Sequence, residues 1–159
     1  MDPDDLVIRS ARPDEAELLS HMIFRAMSYW EYPRELLEHW LECGRFTVTP
    51  EEIELGGIFV AEDEEEDEVV GFYAIEVSGE VCELRHLFVV PELVGTDIQE
   101  MLFFDACELA ETSGAECMAI PTDAHYAGFY EEMGAEKIGE RSIKTPVGDM
   151  PFSVMRMAL

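Results

Sequence analysis

His86-Leu87-Phe88-Val89-Val90-Pro91, running into Glu92-Leu93-Val94-Gly95-Thr96-Asp97-Ile98-Gln99, is the stretch whose reading decides the fold. Its first half is an apolar run of strand length, and Pro91 ends it because proline gives no N–H to a ladder. A short turn follows, then the first turn of an amphipathic helix. A strand feeding a helix N-terminus presents unpaired backbone N–H groups to an anion, usually a phosphate. The turn carries Asp97 where phosphate-cradling loops usually have glycine.

Working outward, Val69 to Val77 and Val81 to Val90 read as long strands around the turn Ser78-Gly79-Glu80. Before them, Ile58 to Ala61 is a short strand. The seven consecutive acids from Glu62 to Glu68 read as a solvated hairpin connection. On the other side, Ile98, Met101, Leu102, Ala106, Leu109 and Ala110 recur at helical spacing up to Ser113-Gly114. Glu116 to Ile120 is a strand, and Ala124 to Met133 a helix closed by Gly134. Strands at Glu136 to Lys144 and Phe152 to Met157 finish the chain.

The N-terminal part opens with a strand at Leu6 to Arg9. A helix begins around Arg12-Pro13-Asp14-Glu15 and carries the stripe Leu18, Leu19, Met22, Ile23, Ala26 and Met27. Pro33 breaks it, and a shorter helix covers Arg34 to Cys43. Thr47 to Glu54 shows no decisive period. The order is β-α-α-β-β-β-α-β-α-β-β, without repeat or linker. The expectation is one α/β (α+β) domain over residues 1–159, with a central mixed sheet flanked by helices.

The balance of 36 acids against ten basic residues gives a net charge of -26. Such a surface repels nucleic-acid phosphate, so no nucleic-acid partner is expected. It suits a protein kept hydrated in a salt-rich cytoplasm, a halophilic device, or one that attracts polyamines or basic peptides. No apolar run is long enough to span a bilayer, and the acidic start Met1-Asp2-Pro3-Asp4-Asp5 is unlike a signal peptide, so a cytoplasmic location and no membrane partner are expected. Cys43, Cys82, Cys107 and Cys117 stand singly in apolar patterns, without metal spacing, and read as buried, reduced thiols. No metal is expected.

With these elements in order, the chain resembles the GNAT superfamily of acetyl-CoA-dependent N-acyltransferases. The likeness rests on the element order, on Leu87-Phe88-Val89-Val90-Pro91 entering a helix, and on Ala127-Gly128-Phe129-Tyr130-Glu131-Glu132-Met133-Gly134-Ala135, similar to the family's FYxxxGF-like segment. The resemblance implies a V-shaped opening between the strands around Leu87 and Ala119. It implies acetyl-CoA as co-substrate, its pantetheine against the backbone of Leu87, Phe88 and Val89. The pyrophosphate would rest on amides from Val94 through Gly95, Thr96, Asp97 and Ile98 to Gln99. The family pattern Gln/Arg-x-x-Gly-x-Gly/Ala is replaced at all three defining positions, Val94, Asp97 and Gln99. With a dielectric near 20, the Asp97 charge would oppose a phosphate by about 3 kcal/mol, roughly a hundredfold in affinity.

By the same resemblance Tyr130 is the general acid for the departing thiolate, since a phenol keeps its proton at neutral pH. Glu83 is the first choice for general base and His86 its rival; strand alternation sets Glu83 and Arg85 on one face and His86 on the other. Arg85 could instead pair with Glu83. His125 replaces the asparagine that the family commonly has five residues before the tyrosine, and is counted with the cofactor positions. Trp30, Tyr32, Trp40 and Tyr126 are the aromatics of the acceptor pocket. The implied reaction is acetyl transfer to a primary amine of a small molecule or peptide by direct attack. The competing expectation is a non-catalytic module that has lost CoA. The exposed edge strands near the C-terminus suit a homodimer.

Overall fold

Strand β4 (Val81–Val89) is paired along one side and only partly along the other, and the rest of the architecture explains why. The computed structural model describes residues 5–29, 32–43 and 47–159. Around β4 stand β1 (Leu6–Ser10), β2 (Ile58–Asp63), β3 (Glu68–Ser78), β5 (Cys117–Thr122), β6 (Glu136–Thr145) and β7 (Gly148–Ala158). They form one seven-stranded mixed sheet in the order β1-β2-β3-β4-β5-β7-β6, in which β4 and β5 alone run parallel. The helices are α1 (Ala16–Tyr29), α2 (Arg34–Cys43), α3 (Pro50–Glu54), α4 (Asp97–Thr112) and α5 (Ala124–Glu132).

The expected mixed sheet and element order are present, with one added α-helix and two 3-10 turns, Pro13–Glu15 and Pro91–Leu93. α3 occupies the segment without a decisive period. Its five residues depend on Thr49, whose Oγ1 accepts from the Glu52 N–H at 3.2 Å, rather than on an apolar stripe. The acidic run is shared out: β2 keeps Glu62 and Asp63, β3 starts at Glu68, and the turn between them bends through Asp67 at φ 53°. No helix among the described residues is long and apolar enough to cross a membrane.

Two faces of the sheet are covered. On one, α4 buries Leu102, Phe103 and Ala106 against β3 and β4, and the Tyr73 hydroxyl donates to Asp105 on that helix at 2.7 Å. Contact there is so close that Gly71 has no room for a side chain: a Cβ would lie 2.8 Å from Leu102 Cδ1 and 3.0 Å from the Phe88 carbonyl oxygen. On the other face, α1 buries Leu19, Met22, Ile23, Ala26 and Met27, while Leu18, expected in the stripe, is 45% exposed. Arg9 ties β1 to the start of α1, its guanidinium donating to both Glu15 oxygens and to Glu62 at 2.6–2.9 Å.

Two features of β4 build the site. It pairs with β5 only at Val81↔Cys117, Cys82↔Met118 and Glu83↔Ala119. Beyond that point β4 follows β3 to Val89 while β5 follows β7 to Thr122, so the strands part. The second feature is a bulge. Ile75 faces Leu84 and Ala74 faces His86, which leaves Arg85 as an extra residue. Glu83 faces Glu76, on the same face of β3 as Ala74. The bulge therefore returns His86 to the face of Glu83, and the alternation expected from sequence is corrected. The cysteines are corrected in part as well: all four are free, but Cys43 is exposed and only Cys82 is fully buried.

Candidate active site

Where β4 and β5 separate, a cavity of about 40 Å³ opens, lined among others by Met27, His86, Phe88, Asp123, Tyr126, Tyr130 and Phe152. Two wider clefts of about 490 and 370 Å³ lie elsewhere on the surface. Of the residues singled out from sequence, the small cavity gathers His86, Leu87, Phe88, Tyr126 and Tyr130; Glu83 and Tyr32 are not part of its lining.

Tyr126 and Tyr130 lie one helical turn apart on α5, so both rings reach the same side. α5 is begun by Asp123, whose carboxylate accepts from the His125 N–H at 2.9 Å, and ended by Gly134 at φ 106°. Tyr130 packs edge-on against Phe103 and Phe129, with ring centroids 5.5 and 5.2 Å away. It is 5% exposed, and burial, with Tyr126 and Asp123 nearby, raises its pKa well above the usual phenol range. Its proton is therefore held at any working pH. Tyr126 meets Phe88 edge-on across the opening at 6.0 Å.

His86 is buried among Phe72 and Phe88, and its Nδ1 is sealed from solvent without a hydrogen-bond partner among the described residues. Burial, assisted by the Arg85 charge, lowers its pKa to about 4. Glu83 is exposed, at the last β4–β5 pair, where the opening starts. Arg85 is held by Glu76 at 3.3 Å instead of by Glu83.

The edge of β4 from Leu84 to Val89, which includes Leu87, Phe88 and Val89, has no strand partner on the β5 side among the described residues. At its end Pro91–Leu93 make one turn of 3-10 helix, and Gly95 takes φ 80° ahead of α4. The Val94 and Thr96 amides bond back to Pro91 and Leu93, and the Gln99 amide to Thr96. The buried Gln99 side chain accepts from the Gly95 N–H at 3.0 Å. What remains is the N–H of Asp97 and of Ile98, which meet no acceptor among the described residues. The Asp97 side chain is exposed. Donors for one anion, beside an unpaired strand edge, fit a diphosphate with an amide-bearing arm.

Sequence reasoning missed Asp123. It is 3% exposed and links the cavity to the segment ahead of α2: the Tyr32 hydroxyl donates to Asp123 Oδ2 at 2.6 Å and lies 2.8 Å from His125 Nδ1. A phenol has one proton, and the carboxylate takes it, so His125 Nδ1 is the donor to the Tyr32 oxygen. Burial and Asp123 push the Tyr32 pKa far up. Tyr32 is thereby a strut rather than an open pocket wall, packed edge-on against buried Trp40 at 5.3 Å. The signal in the sequence was a lone aspartate just ahead of a helix, which reads as an ordinary cap. Trp30 lies outside the described residues. Tyr32→Phe takes the hydroxyl away from a buried carboxylate, and chemical denaturation should show a loss of about 1–3 kcal/mol; an unchanged midpoint would deny the strut its role.

The Acetyltransferase (GNAT) family matches residues 20–135 of the chain. A search of curated protein sequences finds no match. Among solved structures the chain is similar to a GCN5-related N-acetyltransferase (aminotransferase, class-II) from Rhodopseudomonas palustris, with TM-score 0.78 and 18% identity over 100% of this chain and 99% of that one. It is similar to the PaiA N-acetyltransferase of Thermoplasma acidophilum in complex with coenzyme A, with TM-score 0.74 and 17% identity over 97% and 99% of the two chains. Spermidine N-acetyltransferase from Vibrio cholerae, in complex with CoA and spermine, gives TM-score 0.70 and 18% identity over 98% and 96%. Identities this low carry the fold alone.

Proposed function

The chain belongs to the acetyltransferase (GNAT) family, and we propose that it is a working enzyme of that family, an N-acetyltransferase acting on a primary amine of a small molecule or peptide with acetyl-CoA as donor. One observation carries the reading: the unpaired edge of β4 runs beside a small cavity walled by Tyr130. Acetyl-CoA, when bound, supplies an activated acyl group. In this reading the backbone of Leu87, Phe88 and Val89 holds the amide-bearing arm, and the Asp97 and Ile98 N–H groups hold the diphosphate. Tyr130 keeps a proton on its phenolic oxygen for the departing sulfur. Glu83, on the same face of β4 as the cavity, takes the proton from the amine. The acidic surface is read as adaptation to molar salt in a cytoplasm, and the exposed outer strand β6 as a surface for a second copy.

A specific pair of observations favours the competing reading, a non-catalytic module. Gln99 already occupies the Gly95 N–H, and Asp97 brings a carboxylate to the first turn of α4. The exposure of Asp97 weakens that objection. In a water-like dielectric, a unit charge about 6 Å away costs about 0.7 kcal/mol, so two phosphate charges cost about 1.4. The expected penalty drops from a hundredfold to about tenfold. Calorimetry with acetyl-CoA should find binding by the native chain in molar KCl. Asp97→Gly should bind about tenfold tighter at low salt and less so at high salt, where the Debye length is about 3 Å. Heat from the variant only would make the native chain a degenerate module.

A further inference from the structure

Resting on the transferase reading, we infer that His86 is a further catalytic residue of a different kind from a base: a neutral imidazole that offers Nε2–H to the cavity as a hydrogen-bond donor for a substrate carbonyl oxygen. The geometry carries this. Nδ1 is sealed and meets neither donor nor acceptor among the described residues. A neutral imidazole has one N–H and one bare nitrogen. A buried N–H without an acceptor is the rarer and costlier arrangement, so Nδ1 is the bare nitrogen and the proton sits on Nε2. The ring lines the cavity, whose polar members across the gap are Thr122, Asp123, Tyr126 and Tyr130. Asp123 already accepts from Tyr32 and from the His125 amide.

The same sealing disqualifies His86 as a base. Taking a second proton would place an N–H at Nδ1 with nothing to receive it, and Arg85 adds a positive charge on the same strand. The pKa of about 4 agrees with the geometry. A fixed neutral donor in a buried position acts where negative charge develops on a carbonyl oxygen, and it needs no reorganisation to do so. His86 and Tyr130 would then serve the two atoms that gain electrons, the carbonyl oxygen and the sulfur, and the amine proton leaves by Glu83 or a water.

Two measurements test this. Nitrogen-15 NMR of the imidazole in the native chain should show the Nε2–H tautomer, unprotonated, at every pH from 6 to 8. The Nδ1–H tautomer, or a protonated ring near neutrality, overturns the inference. In kinetics with acetyl-CoA and an accepted amine, His86→Leu should lower kcat by roughly 10²- to 10³-fold with little change in KM. His86→Gln, which keeps an N–H donor near the Nε2 position, should recover most of that loss and leave the pH–rate profile in place. A glutamine variant as slow as the leucine variant removes the donor role even if both fold normally. Absence of turnover in the native chain would instead fell the transferase reading, and this inference with it; turnover with failed glutamine rescue fells the inference alone.

Discussion

Tyr130→Phe should lower kcat by about two to three decades in a thiol-release assay, with KM moving little, the usual size of a general-acid contribution. The substitution is unusually clean. Tyr130 is held by its ring, against Phe103 and Phe129, and its hydroxyl makes no hydrogen bond among the described residues. Phenylalanine keeps every ring contact and orphans no partner, so stability should stay within about 0.5 kcal/mol. The raised pKa poses a question of proton affinity: a phenol held so tightly is a poor acid toward a thiolate in water. The cavity changes both members of the pair. Burial likewise lifts the thiols of Cys107, close to Tyr130, and of Cys82 to about 11, so a sulfur buried in this fold also resists losing its proton. The Tyr130 proton is therefore not released ahead of the sulfur: it moves together with breaking of the carbon–sulfur bond, and solvent returns it to the phenolate afterwards. A native-like kcat in the variant would take Tyr130 out of the mechanism.

Much of this was legible in the sequence because it rests on local period. The Pro91 stop, the turn at Gly79 and the stripe from Ile98 to Ala110 each follow from a short window, and so does the order of elements. The bulge at Arg85 was not legible: Leu84-Arg85-His86 reads as plain alternation, and the extra residue shows only in its pairing with Ala74 and Ile75. That one residue decides whether His86 shares a face of β4 with Glu83. Asp123 was hidden for a related reason. Its partner Tyr32 is 91 positions away, so no local pattern could tell a buried strut from a helix cap. Asp97 was overweighted because sequence gives the charge of a side chain and not its exposure.

Acid should weaken the fold through His86 before it reaches the paired carboxylates. An unperturbed histidine in the unfolded chain binds its proton near pH 6.5, whereas folded His86 stays neutral down to about 4. Between those values the unfolded state holds the extra proton, so the contribution is fully present above pH 6.5 and is lost as pH falls toward 4. At 1.36 kcal/mol per unit the loss is about 3 kcal/mol. Glu15 behaves in the lower window: hydrogen bonds from Arg9 lower its pKa, so its contribution is present above the ordinary carboxylate range and goes only below it. Relief of repulsion among the many carboxylates acts in the opposite direction, which is why the useful quantity is a difference between chains. Denaturation of the native chain and of His86→Leu from pH 7.5 to 4.5, at one salt concentration, should show the variant gaining about 2–3 kcal/mol relative to native as pH falls. Parallel curves would mean that His86 is already protonated or already exposed. Leucine, which leaves no orphaned nitrogen, should cost little at pH 7.5. A chain that keeps a buried, unpartnered imidazole where an apolar residue would fold as well, and would tolerate acid better, retains it for what the other nitrogen meets in the cavity.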